Sequence, residues 1–205
     1  GGQSEFTVQG GGSPGATKAI FKGAPVAMQT AAGGAGVLGH IQDETAALMT
    51  DGIVGGNTWK HSTANTNGSL GVFNGATFVD ANGKPTWTNG LAAAQTSSVD
   101  YNTGSNNITA FVNTNPHQEY TARADAAVGI ASFNTLTNTG YNLNDAGAGV
   151  DGQSDCTLDI ANTTGTANYM WKLVRSANVT NQNDLTAAGA DIIISYNPQA
   201  NAYLA

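Results

Sequence analysis

The chain of 205 residues is long enough to bury one sizeable core, or two small ones, without a covalent staple. Its 7 Lys and Arg against 14 Asp and Glu give a net charge of -7 and a pI near 4.5, which excludes a nucleic-acid partner held through its phosphates. Only 10% of the residues are charged, against about a quarter in an ordinary soluble domain, while Gly, Ala, Thr and Asn are abundant; such a surface is polar through amides and hydroxyls and suits an extracellular or particle-bound structural protein.

No stretch approaches the 18 or more apolar residues of a spanning helix, and no basic segment precedes an apolar run at the start, so a soluble protein without a secretory leader is expected and no membrane partner. Gly1 in place of a methionine reads as removal of the initiator or of a short propeptide. The lone Cys156 rules out an intrachain disulfide.

In chain order, residues 1–17 read as a flexible N-terminal arm, because Gly10-Gly11-Gly12-Ser13-Pro14-Gly15 cannot meet the entropic cost of regular structure. Phe6-Thr7-Val8 within it is a short β-prone patch, and Phe6 and Val8 are its candidate contacts with a neighbouring molecule. Residues 18–205 form the β domain, with 18–95 and 96–205 as possible subdomains. Strands are predicted over Ala19 to Met28 and Gly52 to Lys60, with a short helix over Asp43 to Met49 that Asp43 would cap.

Gly71 to Asn89 predicts a β-hairpin. Asn82-Gly83 is the dipeptide favoured by a two-residue type I′ turn, whose central residues both need positive φ. That turn sets Phe78 opposite Trp87 and Thr77 opposite Thr88, so both aromatics face the core. Pro85 then lies at a strand start or on an edge. Further strands are predicted over Ile108 to Val112, Gln118 to Ala124, Cys156 to Ile160, Asn168 to Arg175 and Ala190 to Tyr196, with Cys156, Leu158 and Ile160 facing inward and Trp171 sharing an apolar face with Tyr169 and Leu173. Many short strands joined by Asn/Thr/Gly-rich loops indicate a mainly β fold, an antiparallel sandwich or barrel.

Motifs for chemistry are weak. Gly34-Ala35-Gly36-Val37-Leu38-Gly39 matches the dinucleotide fingerprint in letters only, since no strand leads into it and no acidic residue follows in a βαβ frame. Lys84 lacks the upstream glycine of a phosphate loop, its place being taken by Phe78. His40, His61 and His117 have no ligand spacing. Asp145, Asp151 and Asp155 in a Gly-rich loop are weak candidates for a structural Ca²⁺, though their spacing fits no known calcium loop. Ser62, His61 and Asp51, or Ser132 and Asp125 with a distant histidine, make a triad only on paper, with no nucleophile elbow to support it. No catalytic residue and no cofactor are expected. A glycan hydrolase would need a carboxylate pair, drawn mostly from Asp because only Glu5, Glu44 and Glu119 supply glutamate.

The run Gly71-Val72-Phe73-Asn74-Gly75 followed by Phe78-Val79-Asp80, Gly83-Lys84-Pro85 and Trp87 resembles a family of tailed-phage virion structural proteins that serve as head decoration or cement proteins. Phe21 to Val26 is similar to that family's early Gly-x-Pro-Val strand, and Asn115-Pro116-His117-Gln118-Glu119-Tyr120 to its central strand, while Trp171 to Arg175 and Ile192 to Ile194 fall in the expected order. The family carries an acidic residue where this chain has Asn115. The resemblance implies a non-enzymatic protein on the capsid exterior, bound to the major capsid protein and self-associated as a trimer or dimer. An extracellular or tail-associated adhesin, a carbohydrate-binding β module, is the alternative.

Overall fold

The computed structural model describes residues 2–7, 20–28, 41–43, 69–80, 82–91, 108–129, 141–144, 152–160, 171–177 and 183–196. Among these the fold is mainly β, without a helix, in antiparallel sheets that curl into half-barrels. The chain divides into two compact units. The first comprises Gly1–Val54, Ser69–Asn115 and Ala148–Asp155, and the second Gly55–Gly68, Pro116–Gly147 and Cys156–Ala205. The main boundary therefore runs at Asn115 and Pro116 rather than near residue 95, and a later segment returns to the first unit.

The first unit contains β1 (Gln3–Thr7), β2 (Ile20–Phe21), β3 (Pro25–Met28), β4 (Ile41–Asp43), β5 (Ser69–Val79), β6 (Pro85–Thr88), β7 (Gly90–Leu91) and β8 (Thr109–Asn113). One sheet runs in the order β1, β8, β5, β3, β4, with β6 also paired to β5; β2 and β7 form a separate ribbon. The long β5 is the spine. β8 follows one of its edges, and β3 and β6 share the other. Ile20, Val26, Phe73, Ala76, Leu91, Ile108, Ala110 and Val112 are buried together as the core, with Phe6 and Phe78 packed against it. Asp43 ends β4; residues 44–49 of the helix it was expected to cap, the predicted strand at 52–60 and the Gly34–Gly39 motif lie outside the described residues.

The hairpin forms, but one residue out of the predicted register. Thr77 pairs with Trp87, Phe78 with Thr86 and Val79 with Pro85, so Pro85 does open its strand while Phe78 and Trp87 point to opposite faces. The cause is the turn. Gly83 N–H donates to the Asp80 carbonyl at 2.9 Å, Asp80 N–H to the Lys84 carbonyl at 2.9 Å, and Gly83 takes φ 80. This is a three-residue loop ending in a left-handed glycine, which uses Asn-Gly differently from a two-residue turn. The Asp80 carboxylate selects it by accepting the backbone N–H groups of Asn82 and Lys84, each at 2.9 Å.

The second unit holds β9 (Glu119–Ala124), β10 (Asn142–Asn144), β11 (Thr157–Asp159), β12 (Trp171–Ser176) and β13 (Asp191–Tyr196), ordered β10, β11, β9, β13, β12. All pairs are antiparallel except β9 with β11. Its core is built on Trp171 stacked against Tyr196 at 4.4 Å between ring centroids, with Tyr120 edge-on to both. Leu158, Leu173 and Ile192 are fully buried beside them, as the strand alternation predicts, and Cys156 is half-buried. Asn183 holds the β12–β13 connection, its side-chain amide donating to the carbonyls of Ala177 and Asp191 while its oxygen accepts Asp191 N–H at 2.8 Å.

Candidate functional site

The register of the hairpin decides which groups reach the outer face of the first unit's sheet. Trp87 lies opposite Thr77, and Gly75, two residues earlier on the same face of β5, lies opposite Phe111. Between Phe73 and Gly75 the β5 strand bulges by one residue, Asn74, which lets both Phe73 and Ala76 face the core while Gly75 turns outward at φ 127. The bare backbone of Gly75 leaves room for an indole. A Cβ there would lie 2.9 Å from Trp87 Cε2 and 3.0 Å from the Thr88 carbonyl oxygen.

Trp87 fills that space and leans on Phe111, with ring centroids 5.3 Å apart and planes tilted by 33°. Its Nε1–H donates to Asn89 Oδ1 at 3.1 Å. It is thus fixed on three sides and still 49% exposed, beside Val79 at 41%; these are the two large hydrophobic side chains exposed among the described residues. Sequence reasoning placed Trp87 in the core and missed this face. The available signal was Gly75 inside a strand pattern, which marks a bulge or a close approach.

In the second unit a cleft of about 370 Å³ is bounded by Pro116, His117, Glu119, Lys172, Ser195 and Tyr196. Glu119, Ser195 and Lys172 stand in one cross-strand row on β9, β13 and β12. Glu119, the one carboxylate among the described residues that line this cleft, accepts from the Arg175 guanidinium at 2.8 Å, an exposed pair of small energetic weight. Among the described residues no second carboxylate for glycoside hydrolysis lines it.

The other sequence candidates are scattered or structural. Asp155 is exposed, and Asp145 and Asp151 lie outside the described residues, among which no group of three His, Cys, Asp or Glu converges. Asp125 Oδ1 accepts the Ile160 N–H at 2.8 Å and Asp125 N–H donates to the Leu158 carbonyl, so this carboxylate ties β11 to the end of β9. Ser132, Ser62, His40, His61 and Asp51 lie outside the described residues. Phe6 does not stand apart from the core as an isolated arm would; β1 pairs with β8 and lays Phe6 on the unit's own core opposite Ala110, while Val8 lies outside the described residues.

Burial pushes the Tyr120 hydroxyl well above the ordinary tyrosine range, and neither that hydroxyl nor Trp171 Nε1–H has a hydrogen-bond partner among the described residues. Asp184 is held below the usual carboxylate range by the hydroxyl and backbone N–H of Thr186. Comparison of the chain with protein-family models, with curated proteins and with solved structures found no match.

Proposed function

We propose that this protein is a non-enzymatic virion structural protein that decorates the outer face of a tailed-phage head and bridges neighbouring major capsid subunits, with the Trp87 face as its contact surface. The single observation behind the choice of surface is an indole fixed by Gly75, Phe111 and Asn89 while half of it stays exposed. An exposed tryptophan that is already immobilised loses little conformational entropy on docking, which is the property of an interface anchor. The resemblance carried by Gly71 to Trp87 and by Asn115 to Tyr120 supports the choice of partner. Linked copies on a repeating shell convert a modest contact into a tight one, and binding restricted to the mature shell stabilises that state by mass action.

Particles lacking the protein are expected to assemble and to release their DNA at a lower temperature than wild type, with Trp87→Ala particles intermediate and under-decorated. Heat resistance equal to wild type in the absence of the protein overturns the reading. The same indole also serves the alternative, an adhesin that stacks on sugar rings. Glycan-array binding by the purified protein, lost in Trp87→Ala, would favour that function instead.

A further inference from the structure

Among the described residues β1 is the edge strand of its sheet, next to β8. Among the described residues it pairs with β8 alone, over Gln3 to Thr7 against Asn113 to Thr109. Phe6 lies opposite Ala110, whose small side chain leaves a place for the ring on the core; Ser4 Oγ sits 3.1 Å from Thr114 Oγ1, and Thr114 N–H donates to the Gly2 carbonyl at 2.7 Å. Between β1 and β2 stand residues 8–19, with four glycines, one serine and one proline in the sequence. β2 pairs with β7 in a different ribbon, so among the described residues no backbone ladder ties β1 to β2.

We propose that β1 is an exchangeable strand, and that the β8 edge of one molecule accepts the β1 of a second copy of this chain. Removing β1 exposes the unpaired N–H and C=O groups of β8 together with the place left by Phe6, a surface for which another copy's residues 2–7 are the fitting occupant. Exchanged and intramolecular strands make identical contacts, so the balance is set by the connection and by concentration. A short Gly-rich connection holds β1 at an effective concentration on the order of 1 mM, so the chain closes on itself when dilute and exchanges when copies are crowded to that level. Partner choice here depends on no capsid contact.

The test is a Ser4→Cys, Thr114→Cys chain carrying Cys156→Ser, oxidised at concentrations from about 1 μM to about 1 mM. The proposal expects an intrachain disulfide in dilute solution and an interchain one whose share rises with concentration. Intrachain cross-linking alone across the whole range overturns the proposal.

Discussion

Substituting Gly75 and Trp87 singly and together tests the hairpin register at its most sensitive point. About half of the roughly 200 Å² that a buried aromatic withdraws from water is covered at Trp87, so Trp87→Ala should cost about 2 kcal/mol, somewhat below the direct product of area and 25 cal/mol per Å². A core position would cost about 3 to 5 kcal/mol. Gly75→Ala should cost about 3 kcal/mol, because φ 127 strains any L side chain and the new Cβ meets both the indole and the Thr88 carbonyl oxygen. With the indole already gone, the backbone strain and the Thr88 contact persist but the ring clash does not. The double variant should therefore be about 1 kcal/mol more stable than the sum of the single losses predicts, measured as urea midpoints by circular dichroism. Additivity within about 0.5 kcal/mol would mean that the indole does not lie over Gly75, and the observed register would be wrong.

Trp171→Ala, which empties a 1%-exposed site in the second unit, should cost about 3 to 5 kcal/mol in the same melts, clearly more than Trp87→Ala. Asn183→Ala should cost about 1.5 to 3 kcal/mol, since the Ala177 carbonyl and Asp191 N–H lose the Asn183 side chain and the Asp191 carbonyl keeps only its bond from Ala177 N–H, and hydrogen exchange at Asp191 N–H should quicken. Tyr120 is held neutral by burial, so its contribution is intact below pH 10 and stability falls as pH rises beyond that value, where the unfolded tyrosine ionises and the folded one does not. In a spectrophotometric titration Tyr120→Phe should remove the phenolate that appears only with alkaline unfolding; unchanged late ionisation would refute the assignment.

Strands β12 and β13 of the second unit were legible because Trp171 and Leu173 flank Lys172 and because Ile192-Ile193-Ile194 is a short β-branched apolar run, both on segments that face a core. β10 was not, since Asn142-Leu143-Asn144 offers one apolar residue and takes its place from pairing with β11. The hairpin was legible in existence and illegible in register for a local reason. Asn82-Gly83 serves two loop lengths, and the choice between them rests on a carboxylate at Asp80 reaching backbone N–H groups, which no hydrophobic pattern reveals. One residue of slip then turned Trp87 from the predicted core to the surface, so the candidate contact face could not be read before the turn was known. β1 was sensed only as a β-prone patch, because pairing with β8 spans more than a hundred residues of sequence.

Cryo-electron microscopy of the intact particle tests the central claim directly. The account predicts density for this fold on the outer head surface between major capsid subunits, with Trp87, Phe111 and Val79 buried against the shell. Density at the tail tip with the Trp87 face open to solvent, or a particle that contains none of this protein, would contradict it.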